Sequence, residues 1–292
     1  HDYWTANVCL EFGVEIFIPN YDPFAATNLK VINVNNIVPL WPRRFTTLKK
    51  TAKELENFEQ SLDGRCPEFR NCCLKLRKLR NDLHQLFYDH NDDLKKIDKL
   101  IDFKQKLFDQ FNNYISWSAG LLANNQSRQL FGFRWTSSID PNNSRFIVYD
   151  IEFEICSTIY VLAMWLMKSV YELLISKENN KENITNNWKN RDYEFLIQTL
   201  RESAGMFQYL LERTKSNKYF SENDCDFLEP ILRSYRNHCL AEAQELLFRL
   251  SNISWIQLKI VIRILQLYWA INEDLNDSAT MMMMMNTTNR PE

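Results

Sequence analysis

The chain has 292 residues, 45% of them hydrophobic and 13% aromatic, so it is long enough and apolar enough to bury a substantial core. Its 35 lysines and arginines against 37 aspartates and glutamates give a net charge of -2, which excludes a global positive field that would recruit nucleic acid or an anionic membrane. Seven scattered cysteines exclude the dense pattern of a secreted disulfide scaffold and favour a reducing compartment such as the cytoplasm.

The first 44 residues are predicted to be an N-terminal extension that contains short strands. Residues 8–18 partly alternate between apolar and polar side chains, and residues 30–40 are rich in valine and isoleucine. Both patterns are typical of β-strands.

From Phe45 onward the pattern becomes helical. Apolar residues recur at spacings of three and four through residues 45–58, 74–86, 94–115 and 195–211, and the chain has only 5 glycines and 8 prolines. Breaks at residues 119–128 and 140–143 enclose the segment LFGFRWTSSI, after which helix is expected to resume at about Phe146 and continue to about Ser176. The polar tract at residues 177–190 is predicted to be a loop, and residues 221–224 a helix cap.

The expected fold is therefore mostly α-helical, with a few short N-terminal strands. Residues 45–275 are predicted to form one helical domain of antiparallel hairpins, since helices of this length with short connections pack against their sequence neighbours. Residues 276–292, which include a run of five methionines, are predicted to be a disordered low-complexity tail.

Two apolar runs were tested as membrane spans. Residues 155–167 are fewer than the roughly 20 that a bilayer requires, and residues 253–271 carry Lys259 and Arg263 near their middle. Both runs are interpreted as buried helices of a soluble protein.

The segment Ser234–Ile271 reads as two successive helices, and the second is apolar over most of its circumference. A helix of this kind must cover two faces. One helical strip holds Ile260, Ile264 and Leu267, a second holds Val261, Leu265, Tyr268 and Trp269, and a polar wedge of Lys259, Arg263 and Gln266 separates them. Either both strips lie in the core, or one lies in the core while the other binds a partner helix through spaced apolar anchors.

Residue patterns typical of catalysis, cofactors and metals are not found, and none of the three is predicted. The five glycines stand apart and form no phosphate-binding loop. The cysteines and four histidines lack the spacing of a zinc site or of a nucleophile with its base, so the thiols are expected to be inert. Glu152 and Glu154 are interpreted as capping residues or, for Glu154, as the acceptor of a buried donor. The cations of residues 75–80 are interpreted as a solvated helix face.

Four segments, taken in order, resemble a known family. They are FRWTSSI (residues 133–139), FEICSTIYVLAMWLMKSV (153–170), ESAGMFQYLLE (202–212) and RSYRNHCLAEAQELLF (233–248). In order and spacing they resemble the BRO domain of Alix, BROX and the rhophilins, with BROX-type members the most similar. Because that domain normally continues past the position of Ile271, and BROX-type proteins end in a prenylated cysteine, the resemblance also implies that this chain is truncated at its C-terminus.

The resemblance implies a curved domain of tetratricopeptide-like hairpins that acts as a non-enzymatic adaptor. It implies binding of the C-terminal amphipathic helix of an ESCRT-III subunit, a charged multivesicular body protein, in membrane remodelling or endosomal sorting. Alignment places that site on Leu247, Ile260 and Ile264, with Leu267 on the same strip.

The implied location is cytoplasmic, with recruitment to endosomal or nuclear-envelope membranes. Membrane association is expected to be indirect or to depend on a lipidated C-terminus, and no nucleic acid is expected as a partner. Two alternatives remain open at this stage. One is a rhophilin-like scaffold in small-GTPase signalling, and the other is a non-functional truncated fragment.

Overall fold

In the computed structural model the chain divides into two compact units, residues 1–43 and residues 44–292. The structure describes residues 67–88, 96–122, 128–129, 131–138, 146–179, 189–216, 220 and 225–250, and then residues 260, 262–264, 266–267, 270–271, 273–274 and 277. The N-terminal strands predicted at residues 8–18 and 30–40 and the predicted cap at residues 221–224 lie outside the described residues, and so does the predicted tail at residues 276–292 except for Asp277.

The described part of the chain is mostly helical, which confirms the predicted fold class. Its elements are the helices α1 (Pro67–Tyr88) and α2 (Ile97–Leu122), the strands β1 (Phe133–Trp135) and β2 (Phe146–Val148), the helices α3 (Ile151–Asn179) and α4 (Asn190–Ser216), a short 3-10 helix (Cys225–Phe227) and the helix α5 (Glu229–Leu250). The described residues between 260 and 277 are also helical.

Consecutive helices contact one another and run antiparallel, as the pattern of long helices with short connections predicts. Tyr114 of α2 contacts Glu154 of α3, whereas Phe103, eleven residues earlier, contacts Trp165, eleven residues later. The same opposed progression relates α3 to α4 and α4 to α5. The contacting pairs are Glu152 with Arg213, Ala163 with Ser203, Ser203 with Cys239, and Gln208 with Arg236.

The two described strands differ from the sequence prediction, which expected a helix to resume at about Phe146. Residues Phe146–Val148 instead pair antiparallel with Phe133–Trp135. The Tyr149 ring lies close to the backbone of Gly132 beside this ladder, since a Cβ at Gly132 would lie 2.9 Å from Cε1 of Tyr149. Aromatic and β-branched side chains favour this pairing, but three-residue strands are too short to show an alternating pattern.

Helix α3 begins five residues later than expected, at Ile151, because Asp150 caps it. The Asp150 carboxylate accepts a hydrogen bond from the backbone N–H of Glu152 at 2.8 Å. Arg128 donates to Asp150 at 2.9 Å and to Glu152 at 2.6 Å, so a cation neutralises the acids gathered at this helix start. The cap is therefore Asp150 and not Glu152 or Glu154, for which the sequence predicted this role; both glutamates instead accept hydrogen bonds from arginine side chains.

Helix α3 lies at the centre of the described core and contacts both α2 and α4. Its residues Ile151–Ser176 are long and apolar enough to cross a bilayer. They are, however, largely buried inside the protein, and they include Glu154, which is 0% exposed and ion-paired with Arg80. An apolar helix that is covered by neighbouring helices and carries a buried ion pair is typical of a protein core.

Candidate partner-binding surface

Leu247, the first predicted anchor, lies on α5 and is only partly buried. It packs against a buried cluster to which α2, α3, α4 and α5 all contribute. Other partly buried apolar side chains border the same cluster, and sequence reasoning did not single them out as a site. Together with Leu247 they form the cluster-border residues, and they are Ile97, Phe103, Trp165, Leu174, Phe195 and Leu250. Their only sequence signal is helical spacing, which does not separate a half-covered position from a covered one.

The other three predicted anchors lie on one face of the helical residues that follow α5. Ile260, Ile264 and Leu267 are 6%, 4% and 5% exposed, and Ile271 continues the strip at 6%. Arg263 and Gln266 are exposed, as the predicted polar wedge requires. The second apolar strip and Lys259 lie outside the described residues. A partner helix reaches Ile260, Ile264 or Leu267 only if the side chains that cover them move, so their role as anchors stays a prediction.

An ion pair fastens this last helical segment to α5. Nε of Arg233 lies 2.6 Å from the Asp274 carboxylate, and the side-chain amide of Asn237 donates to the same carboxylate at 3.4 Å. Burial raises the pKa of Asp274, although Arg233 opposes that shift. The pair fixes the end of the strip that begins at Ile260, and it identifies α5 as the helix beside which the strip lies.

Beneath these surfaces, a buried polar network is centred on Glu154. Its carboxylate accepts hydrogen bonds from Nε of Arg80 at 2.7 Å, from the Tyr114 hydroxyl at 2.6 Å and from Nε1 of Trp135 at 2.7 Å. This confirms that Glu154 satisfies buried donors. Because both oxygens are engaged and the residue is 0% exposed, the arrangement joins α1, α2, β1 and α3 rather than presenting a carboxylate to a substrate.

The charges of this network shift the titration of its neighbours. Burial would lower the pKa of Arg80, but Glu154 and Tyr114 together outweigh burial and raise it. Burial and the Glu154 charge raise the pKa of Tyr114 well above its ordinary value. Burial, reinforced by the charge of Arg80 one turn away, lowers the pKa of His84 well below its ordinary value. His84 is therefore neutral at physiological pH.

A second buried carboxylate, Asp226 of the 3-10 helix, holds the segment that follows β1. It accepts hydrogen bonds from the backbone N–H of Ser138 at 2.9 Å and from the Ser138 hydroxyl at 2.6 Å, and the Ser137 hydroxyl lies 3.3 Å away. The Ser138 hydroxyl also lies 3.0 Å from the hydroxyl of Tyr160 on α3. The cluster therefore connects three chain segments that are far apart in sequence.

Two buried cysteines carry protonated thiols. Burial raises the pKa of the Cys156 and Cys239 thiols to about 12, so neither is a thiolate at neutral pH. Within the described ranges, no three histidine, cysteine, aspartate or glutamate side chains converge in the manner of metal ligands.

The four segments that carry the family resemblance contact one another. Trp135 of the first segment donates to Glu154 of the second, and the Ser203 hydroxyl of the third donates to the backbone oxygen of Ala163 at 2.8 Å. The Phe207 ring of the third segment stacks on Tyr235 of the fourth, with ring centroids 5.3 Å apart. The segments therefore form one connected core, which explains why they occur together.

The chain is similar to a curated protein and to a solved structure. A BRO1 domain-containing protein, the BROX homolog of Caenorhabditis elegans, is 28% identical over 195 residues. The match covers 60% of this chain and 40% of the relative, so the chain spans less than half the length of that curated protein. A crystal structure of ALIX in complex with the SIVmac239 PYKEVTEDL late domain is also similar, at a TM-score of 0.48 and 13% identity over 80% of this chain and 32% of that one.

The family described as the BRO1-like domain matches residues 43–290, which is most of the sequence and includes all four core-forming segments. A match of that extent, on segments that the fold joins through Glu154, Ser203 and Phe207, shows that the chain belongs to the BRO1-like domain family.

Proposed function

We propose that this chain is a non-enzymatic adaptor that binds the C-terminal amphipathic helix of an ESCRT-III subunit, a charged multivesicular body protein. The BRO1-like domain is a protein-interaction scaffold, and the family match covers residues 43–290. In this proposal the protein acts in membrane remodelling or endosomal sorting, and it is recruited from the cytoplasm to endosomal or nuclear-envelope membranes.

The observation that carries the proposal is the set of partly exposed apolar side chains bordering one buried cluster. Leu247 of α5, Trp165 of α3 and Phe195 of α4 belong to this set, and each comes from a different helix of the stack. An amphipathic helix binds such a surface by placing residues spaced three and four apart against apolar side chains of the receptor. The remaining exposed area of these side chains is what a partner helix would bury.

The proposal gives the predicted anchors different roles. Leu247 makes direct contact with the partner helix because part of its side chain is accessible. Ile260, Ile264 and Leu267, which are buried, support the neighbouring helical segment, and they contact the partner only if that segment shifts. The Arg233–Asp274 ion pair holds the segment in register with α5.

Titration of a labelled ESCRT-III C-terminal peptide into wild type and Leu247→Glu tests the site. Complete burial of a leucine contributes about 1.5 to 3 kcal/mol, so losing this contact should weaken binding by about tenfold to a hundredfold. The matched control is Leu86→Glu, since Leu86 of α1 is also a partly buried leucine but does not border the cluster. Circular dichroism establishes that each variant is folded.

Equal affinity of wild type and folded Leu247→Glu would remove Leu247 from the site. A mild substitution in the buried strip, Ile264→Val, separates the two roles. We expect it to change affinity by less than about threefold if the strip only supports the surface. No binding of any ESCRT-III peptide, together with capture of a small GTPase from a lysate, would instead favour the scaffold alternative.

A further inference from the structure

Helix α1 carries an exposed leucine within a row of cations. Leu74 is 45% exposed. Arg70 lies one turn before it and Lys78 one turn after it, so all three share one stripe of the helix, and Lys75 follows directly. An isolated exposed leucine has no special meaning on a protein surface. The combination of an exposed apolar side chain with several cations does require an explanation.

Within the described residues, none of these cations has a carboxylate partner. Whereas Arg80 of the same helix is buried and paired with Glu154, no carboxylate in the described part of the chain forms an ion pair with Arg70, Lys75 or Lys78. The Lys75 ammonium lies 4.2 Å from the ring centroid of Trp117 on α2, so this partly exposed indole is beside the row. We refer to Arg70, Leu74, Lys75, Lys78 and Trp117 as the α1 basic patch.

The exposed acidic side chains whose burial is described on α1 and α2 lie away from the patch. Among the exposed residues of α1 whose burial is described, every one is cationic or neutral, and Asp82 is half-buried. On α2 the exposed acids are in the half of the helix before Trp117. The acids are Asp98, Asp102 and Asp109, while the exposed residues from 112 to 120 are Asn112, Asn113, Ser116, Ala119 and Gly120. A chain with a net charge of -2 therefore has a local positive surface here.

We propose that the α1 basic patch is a contact site for an anionic lipid bilayer. Lysine and arginine near an anionic membrane surface are attracted to the headgroups, and tryptophan lies favourably at the boundary between headgroups and acyl chains. Leu74, between the cations, inserts below the headgroups, and burial of its side chain adds to the binding free energy. A partner bound only by electrostatic attraction, such as nucleic acid, would not gain this contribution. The site is independent of the proposed ESCRT-III contact, because none of its residues borders the Leu247 cluster.

Vesicle co-sedimentation of the full chain tests this proposal. Wild type should bind vesicles of equimolar phosphatidylcholine and phosphatidylserine, should not bind phosphatidylcholine alone, and should lose affinity as salt rises. The double variant Arg70→Gln/Lys78→Gln should bind about 30-fold more weakly, from roughly fivefold per charge. The matched control is Lys189→Gln/Arg191→Gln, which removes two exposed cations before and within the first turn of α4 and should stay within about twofold of wild type.

A second variant, Leu74→Ser, distinguishes a membrane from other polyanions because it keeps every charge. Vesicle binding should fall by about fivefold, while binding to double-stranded DNA at the same salt concentration should not change. The proposal is overturned if the patch and control double variants bind vesicles equally, if wild type binds neither vesicle type, or if Leu74→Ser leaves vesicle binding unchanged. Since no peptide is present, these outcomes are separate from the ESCRT-III titration.

Discussion

The stability of the described fold should be most sensitive to changes in the Glu154 network, and the substitution Glu154→Gln tests this. The substitution keeps the side-chain shape but removes the negative charge that faces Arg80. Arg80 is 2% exposed and cannot turn to solvent without moving helix α1. The amide nitrogen of glutamine would replace one of the two carboxylate oxygens, so it would face either the Tyr114 hydroxyl or the Trp135 N–H, and that donor would lose its acceptor.

The structure sets the expected magnitude. Removing one partner of a buried ion pair leaves the other charge uncompensated and typically costs about 3 to 5 kcal/mol of unfolding free energy. Removing both charges relieves that penalty, so Arg80→Met/Glu154→Gln should cost less than the sum of the single variants by about 2 kcal/mol or more. Because total stabilities of single domains are about 5 to 15 kcal/mol, Glu154→Gln alone should remove a large share of the stability.

Urea denaturation followed by circular dichroism measures the four species of this double-mutant cycle. The control is Glu202→Gln, which removes a partly exposed carboxylate paired with Lys104 and should cost less than about 1 kcal/mol. The argument is refuted if the losses of unfolding free energy in Arg80→Met and Glu154→Gln add up to the loss in the double variant within about 0.5 kcal/mol, since Arg80 and Glu154 would then not be coupled.

Two further predictions concern stability. Burial lowers the pKa of His238 to about 4. The unfolded chain therefore takes up a proton at this histidine near pH 6.5, whereas the folded protein does not. The contribution of neutral His238 to the unfolding free energy should be fully present above about pH 6.5, and the unfolding free energy should fall by about 2 kcal/mol by about pH 5. His238→Gln should flatten the dependence of the urea midpoint on pH, and an unchanged slope would contradict this origin. Asp226→Asn, which turns an amide toward the donors of Ser138 and Ser137, should cost about 1.5 to 3 kcal/mol in the same urea assay. A loss below about 0.5 kcal/mol would show that Asp226 does not hold this segment.

The local pattern was sufficient for the helices. The apolar spacing through Leu74, Leu76, Leu79, Leu83 and Leu86 predicted an amphipathic α1. Leu76, Leu79 and Leu83 are buried and Leu86 partly so, whereas Leu74 is exposed. The polar tract at residues 177–190 was predicted to be a loop, and α3 ends at Asn179 while α4 begins at Asn190. Helical periodicity is a property of neighbours three and four residues apart, so it can be read without knowing the rest of the fold.

The short strands were missed for the opposite reason. Each has three residues, and the pairing of Trp135 with Phe146 depends on two segments meeting across an intervening stretch of chain. The helix start was misplaced with them, because the sequence does not show whether Phe146 pairs with a strand or begins a helix. Only the cap made by Asp150 separates the two elements.

For the candidate site, the sequence by itself determined that Leu247, Ile260, Ile264 and Leu267 are apolar positions of two successive helical segments, and that Glu154 accepts a buried donor. Tertiary structure decided that Leu247 stays partly accessible while the other three are covered, and that the donors to Glu154 include Arg80, 74 residues away. The physical reason is that amphipathic periodicity is encoded locally. Which apolar face is covered, and which charge meets which, depends on helices that are remote in sequence and become neighbours only when the hairpins pack.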